Sequence, residues 1–271
     1  MKRTTARPIQ CELLTEHALE AMIVRAVDLL KEHEPPDGYF GCFSGGKDSC
    51  VIKELARLAG VKATWHYNVT TVDPPELIWF MKEHHKDVDF LYPNMRMFDE
   101  IPKRGLPTRR VRWCCEVFKE SHTPNGATLL MGIRAEESPR RAAMWSEVEY
   151  HRRTKCNCVL PIFKWTIDHV WEFIRVQKLA YCSLYDEGFK RLGCIGCSMA
   201  GVAERIKQFS RWPGIERQYK DATRKLFETN MNEYVQRFPS WESLWDWWLS
   251  DDAAPPAPCG ELKLFEPEAE P

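Results

Sequence analysis

The sequence predicts an α/β fold: a parallel sheet with helices on both faces, followed by a mainly helical C-terminal part. Three observations carry that prediction. Short apolar runs bounded by turn residues recur at 39–43, 61–69, 87–92 and 127–133, and their lengths suit strands rather than helices. After the first two runs come apolar residues at helical spacing, Val51, Ile52, Leu55 and Leu58, then Leu77, Ile78, Phe80 and Met81. A glycine-rich turn, Ser44-Gly45-Gly46-Lys47-Asp48-Ser49, joins the first run to the first of those helices. Strands alternating with helices require parallel crossovers, and these place helices over both faces of the sheet.

Taken in order, residues 15–32 read as an amphipathic helix with Leu19, Met22, Ile23, Val27 and Leu30 on one face. Pro35-Pro36-Asp37-Gly38 ends it ahead of the first strand. Asp73-Pro74-Pro75-Glu76 reads as a helix start, with Asp73 as the N-cap, prolines in the first turn and Glu76 three residues on. Thr166 is the expected N-cap of a helix to Gln177 that packs through Val170, Trp171, Phe173 and Ile174. Residues 200–238 are mainly helical with a break at Pro213-Gly214. Trp241, Leu244, Trp245, Trp247 and Trp248 then form a short aromatic helix, read as buried packing rather than a base-stacking surface. The expected organisation is an N-terminal helix over 1–36, a nucleotide-binding catalytic domain over 37–199, a helical subdomain over 200–250 and a flexible acidic tail over 251–271.

A chain of 271 residues that is 44% hydrophobic can bury a sizeable core. No apolar run reaches the ~18–20 residues of a membrane span. The basic start Met1-Lys2-Arg3 is not followed by the apolar core of a secretory signal. A cytoplasmic location without membrane contact is the expectation. The net charge of −1 is unevenly spread, because Asp251, Asp252, Glu261, Glu266, Glu268 and Glu270 concentrate acid in the tail against Lys263. The remaining chain is net positive, which admits a nucleotide or nucleic-acid partner. Lys103, Arg104, Arg109, Arg110, Arg112 and Lys119 form one basic stretch, opposed within it by Glu116, and Arg140, Arg141, Arg152, Arg153 and Lys155 form another.

The turn at 44–49 has its own chemistry. A strand passing through two glycines into a helix gathers free backbone N–H groups at the positive end of the helix dipole, a seat for phosphate. Lys47 and the hydroxyls of Ser44 and Ser49 add donors. The spacing is not that of the Walker loop, which needs four residues between its first glycine and Gly-Lys. It resembles the PP-loop, Ser-Gly-Gly-x-Asp-Ser, of the adenine nucleotide alpha-hydrolase superfamily. Those enzymes cleave ATP between its α and β phosphates, release pyrophosphate and leave AMP on an acceptor. The resemblance implies a Rossmann-like sheet and, as substrate, ATP with Mg²⁺ on Ser44, Gly45, Gly46, Lys47, Asp48 and Ser49.

Eleven cysteines in a chain without an export signal point to metal or redox chemistry rather than a disulfide framework. Two pairs stand out, Cys114-Cys115 and Cys194-x-x-Cys197. Four thiolates can hold a [4Fe–4S] cluster or a tetrahedral Zn²⁺, and the residues themselves leave both open. Downstream of a PP-loop, the pairs resemble the cluster ligands of the iron–sulfur branch of the phosphoadenosine phosphosulfate reductase family, which implies a [4Fe–4S] cluster close to the nucleotide. Gly132-Ile133-Arg134-Ala135-Glu136-Glu137-Ser138 with Arg140 resembles that family's nucleotide-contacting segment, so Gly132, Arg134 and Arg141 are expected at the phosphates. Leu160-Pro161-Ile162 with Trp165-Thr166 and Val170-Trp171, and the run from Leu184-Tyr185-Asp186 to Gly188-Phe189-Lys190-Arg191, resemble further family segments. Cys42 and Cys50 read as small buried hydrophobes. Cys156, Cys158 and Cys182 stay open between sulfur-carrying thiols and buried packing. His84-His85, at a helix end, reads as a surface and dipole feature rather than a metal ligand.

The resemblance implies two enzyme activities. One is ATP pyrophosphatase chemistry that adenylates an acceptor for sulfur transfer, as in nucleic-acid thiolation and DNA phosphorothioation. The other is reduction of adenylyl sulfate, or its 3′-phosphorylated form, to sulfite. The intact loop with Lys47 favours the first, since stabilising a departing pyrophosphate is useless to a reductase. The reductases attack sulfur with a C-terminal cysteine in Glu-Cys-Gly-x-His. The nearest match, Pro258-Cys259-Gly260-Glu261-Leu262, lacks the preceding acid and the histidine, leaving Cys259 as the candidate catalytic thiol beside Lys47 and Arg134. A nucleotide-binding iron–sulfur sensor without turnover is the third reading. Expected partners are an adenine nucleotide, a nucleic-acid acceptor, a cysteine desulfurase or other sulfur donor, and a second copy of the chain.

Overall fold

The structure, a computed structural model, describes residues 8–152, 154–229 and 233–250. It divides into two compact units. The first takes the described residues up to Val69, Asp73–Tyr92 and Glu120–Gly193, and the second takes Thr70–Val72, Pro93–Lys119 and the described residues from Cys194 onward.

The first unit holds the sheet. Its elements are α1 (Pro8–Glu32), β1 (Tyr39–Cys42), α2 (Lys47–Ala59), β2 (Ala63–Asn68), α3 (Pro75–His84) and β3 (Val88–Leu91). In the second unit follow α4 (Met97–Arg104) and the single-turn α5 (Trp113–Cys115), which runs into a π-turn over Glu116–Glu120. The chain returns to the sheet with β4 (Thr128–Leu130), α6 (Pro139–Met144), β5 (Val148–His151), β6 (Cys156–Val159) and α7 (Ile167–Val176). The second unit is completed by α8 (Val202–Arg211), α9 (Pro213–Thr229), α10 (Glu233–Gln236) and α11 (Trp241–Ser250).

The strand order is β3-β2-β1-β4-β6-β5. All neighbours run parallel except β5, which pairs antiparallel with β6 at the edge. This is the Rossmann-like α/β fold expected from the sequence. β1 has β2 on one side and β4 on the other, so the winding reverses between β1 and β4. Open parallel sheets bind ligands in the crevice that such a reversal opens at the carboxyl ends of the strands. The segments that follow β1 and β4 carry Ser44–Gly46 and Gly132–Arg134. α2 buries Val51, Ile52 and Leu55 completely, and Leu30, Leu130 and Leu160 are equally inaccessible.

Several boundaries differ from the sequence reading. α1 starts at Pro8 rather than 15, and β4 is only three residues long. The N-cap of α3 is Pro74 rather than Asp73, with no side-chain cap. α7 does begin on Thr166, whose hydroxyl accepts the His169 N–H while His169 Nδ1 accepts the Thr166 N–H. The β5–β6 hairpin was not expected. In it, Cys156 and Cys158 point into an apolar cluster with Leu129, Leu160 and Phe163.

In the second unit α9 packs on α4 and α11, with Tyr219, Phe209, Trp245 and Trp248 buried among them. The aromatic helix is therefore core. Arg205 is wholly buried, its guanidinium 5.2 Å from the Trp248 ring and donating to the carbonyls of Trp248 (2.7 Å) and Leu249 (3.0 Å). It thereby satisfies carbonyls left open at the end of α11. No helix among the described residues is long and apolar enough to cross a membrane.

Candidate functional site

The turn at 44–46 is shaped by its glycines. Gly45 sits at φ +69°, and a Cβ there would lie 2.8 Å from both Leu77 Cδ1 and Met81 Sδ, so packing and backbone both require glycine. Gly46 is the N-cap of α2 and offers no side chain to the first-turn amides. The turn is instead braced by its serines. Ser49 Oγ donates to the Gly46 carbonyl at 2.7 Å, and Ser44 Oγ donates to Ser49 Oγ at 3.2 Å. The Lys47 N–H donates at 2.9 Å to the hydroxyl of Tyr185, a residue distant in sequence.

The charged groups form one chain. Lys47 and Arg134 are each 4% exposed. Asp48 lies between them, one oxygen accepting from Lys47 Nζ (3.0 Å) and the other from Arg134 Nε (2.7 Å). Arg134 also donates to Glu136 (2.5 Å), whose carboxylate accepts the Ile167 N–H (2.6 Å) at the start of α7. Gly132 lies against α2, where a Cβ would sit 3.1 Å from the Asp48 carbonyl carbon. Arg141 pairs with Glu137. A cleft of about 770 Å³ opens here, lined by Lys47, Arg134, Trp171, Tyr185, Lys190 and Arg191 among others, within the usual range of small-ligand pockets.

The four thiols of the two cysteine pairs lie in the second unit. The Cys114 thiol is held well above its ordinary pKa, first by its hydrogen bond with Cys115, then by burial and by the neighbouring Cys115, Cys194 and Cys197. Cys115, Cys194 and Cys197 are therefore each within electrostatic reach of Cys114. Among the described residues, no three His, Cys, Asp or Glu converge as a closed ligand set. The donor chemistry, four partly exposed soft thiols, fits a thiolate-bound metal. The Cys194–Cys197 turn is firmly held. The Ile195 N–H donates to the Val72 carbonyl (2.8 Å), the Tyr219 hydroxyl to the Ile195 carbonyl (3.1 Å), and the Gly196 N–H to Gln208 Oε1 (2.8 Å). Gly196 is at φ +71°, and a Cβ would meet Phe209 at 2.6 Å.

Among the other cysteines with described side chains, Cys50, Cys156, Cys158 and Cys182 are buried and Cys42 is partly so. Burial pushes the thiols of Cys42, Cys50 and Cys158 up to about 12 and raises that of Cys182. Cys156 is inaccessible and donates to the Thr154 and Pro124 carbonyls. None of these presents a thiolate to solvent. In the first basic stretch Lys103 and Arg104 both bind Glu100, each at 2.7 Å, a partner just outside the span considered in the sequence. Cys259 and the acidic tail lie outside the described residues. Sequence reasoning gave Tyr185 no role, because its partner Lys47 is remote in the chain. Its only sequence signal was its place in the run 184–191.

Residues 39–200 match the family described as the phosphoadenosine phosphosulfate reductase domain. An uncharacterized protein of Methanocaldococcus jannaschii is 28% identical over 222 residues, 76% of this chain and 45% of that protein. An adenosine 5′-phosphosulfate reductase of Shouchella clausii is 33% identical over 172 residues, 60% of this chain and 69% of that enzyme. The chain spans about half the length of the first curated relatives it matches. Among solved structures, the U34-tRNA thiolase NcsA of Methanococcus maripaludis with its [4Fe–4S] cluster is 14% identical, covers 79% of this chain and 82% of its own, and has a TM-score of 0.43.

Proposed function

The chain belongs to the phosphoadenosine phosphosulfate reductase domain family, and on that premise we propose that it is an iron–sulfur ATP pyrophosphatase that adenylates an acceptor for sulfur transfer. The observation that carries the reading is the intact phosphate loop at the switch point of the sheet, opening on a cleft with Lys47 and Arg134 in its wall.

ATP enters with Mg²⁺, its phosphate chain on the amides at the start of α2. The acceptor's nucleophilic atom attacks the α-phosphorus, the bond to the bridging oxygen breaks, and pyrophosphate leaves with the electron pair. Lys47 and the helix dipole stabilise the charge that develops on that oxygen. Arg134, locked between Asp48 and Glu136, orients the loop rather than moving with the substrate. A sulfur nucleophile then displaces AMP from the acceptor. Cys114, Cys115, Cys194 and Cys197 would hold the [4Fe–4S] cluster, which supplies a sulfur-handling centre. The net positive body and exposed Arg110 and Arg112 favour a polyanionic acceptor, a tRNA or DNA.

The second reading is adenylyl sulfate reduction, favoured by the identity to the Shouchella clausii enzyme. The test is side-by-side turnover by anaerobically purified full chain. Pyrophosphate release from ATP with tRNA or DNA supports the proposal. Sulfite from adenylyl sulfate, with no pyrophosphate from ATP, refutes it, and loss of that sulfite on Cys259→Ser would assign the reductase.

A further inference from the structure

Tyr185 reaches the phosphate loop across 138 positions of sequence. Its ring stands edge-on to Trp171 at 5.1 Å, with Tyr181 at 6.4 Å and Lys47 Nζ 5.6 Å from its centroid. Its oxygen accepts the Lys47 N–H at 2.9 Å, and a Cβ on Gly46 would come within 3.4 Å of it. Accepting that bond fixes the oxygen but leaves the phenolic proton unused. Among the described residues no acceptor takes that proton, although Tyr185 lines the cleft that also holds Lys190 and Arg191. Burial raises the phenol's pKa, so the proton stays in place across the working pH range.

We propose that the Tyr185 hydroxyl is a phosphate-binding donor: it accepts from the Lys47 amide and donates to a non-bridging oxygen of the nucleotide's phosphate chain. The inference rests on the reading that residues 44–49 seat those phosphates. A hydroxyl that already accepts a hydrogen bond is a stronger donor, so the amide and the phenol act in series. The row of donors at the start of α2 is thereby extended by one group into the cleft. A phosphoanhydride or other polyphosphate group gains from it, and a neutral ligand does not.

The test is calorimetric titration of the full chain with inorganic pyrophosphate and with ATP. The variants are Tyr185→Phe, which keeps the ring against Trp171, and Tyr181→Phe as a control, whose lost hydroxyl bonds Asp186 rather than the loop. Tyr185→Phe is expected to weaken both ligands about tenfold or more, the scale of a hydrogen bond to a charged group, with Tyr181→Phe unchanged. Equal affinity in Tyr185→Phe overturns the proposal. Tighter binding does so too, by showing that the hydroxyl occupies a seat the phosphate needs. Crystals of the wild type soaked in pyrophosphate give a check independent of any variant's folding: Tyr185 Oη within 3 Å or so of a phosphate oxygen supports the assignment, and its absence there refutes it. Wild type that binds neither ligand defeats the proposed function and this inference with it. Wild type that binds while Tyr185→Phe matches it defeats this inference alone.

Discussion

Asp48→Asn is the most informative single change. Its carboxylate lies between Lys47 and Arg134, whose side chains are each 5% exposed, and is itself 18% exposed. Removing one partner of a buried pair costs about 3–5 kcal/mol, because a charge is left without compensation. Two features reduce that here. Arg134 keeps Glu136, itself 44% exposed, and an asparagine oxygen still accepts one hydrogen bond. A loss of about 2–3 kcal/mol follows, at or below the lower limit of that range, which lowers the melting temperature by roughly 5–10 °C for a chain of this size. Pyrophosphate should then act as the missing counter-charge. If its affinity rises tenfold in the variant, saturating ligand adds about 1.4 kcal/mol more stabilisation than in wild type. Differential scanning calorimetry with and without pyrophosphate reads both effects. A variant that melts with wild type, or that gains no more from pyrophosphate than wild type does, refutes the view that Asp48 is the counter-charge of Lys47 and Arg134.

Gly45→Ala must adopt a left-handed conformation and meet Leu77 and Met81; a loss of about 2–4 kcal/mol is expected in urea unfolding, and a midpoint shift under a quarter of that would contradict it. His85, beside Cys50 and Lys53, with Asp87 on Lys53, has its pKa pushed down to about 4, chiefly by burial and then by Lys53. As its folded pKa lies below its unfolded one, the unfolded chain takes the proton first, so stability is flat above about pH 6.5 and falls toward pH 4. His85→Gln should remove that acid limb from the urea midpoints, and an unchanged limb assigns it elsewhere. Alanine at Cys114, Cys115, Cys194 or Cys197 should abolish iron retention and visible absorption after anaerobic purification. Cys156→Ala and Cys158→Ala should retain both while unfolding earlier. Gln208→Leu keeps all four thiols but strips the Gly196 amide of its acceptor, and should lose iron to a chelator several-fold faster.

Where the controlling interactions are local, the sequence was readable. The helix after the loop and the Thr166 cap each depend on neighbours within a few positions, as do the serine braces inside the loop at 44–49. The β5–β6 hairpin was missed because Cys156 and Cys158 attract a chemical reading, whereas on a half-buried strand a thiol is a small apolar side chain. Asp73 was expected to cap α3 from the local pattern, yet Pro74 holds the cap position. The site's remaining parts are non-local. Tyr185 on Lys47, Asp48 on Arg134, and Gln208 on Gly196 each join distant positions, and only the folded chain brings such pairs together.

An ATP pyrophosphatase is defined by which bond of ATP it cuts. Incubating the anaerobic, iron-loaded chain with ATP labelled at the α-phosphorus and an RNA or DNA acceptor, then resolving the products, reads this directly. Label in AMP and in adenylated acceptor, with stoichiometric pyrophosphate, is the predicted result. Label in ADP with free phosphate, or label left in ATP while adenylyl sulfate is turned into sulfite, would contradict it.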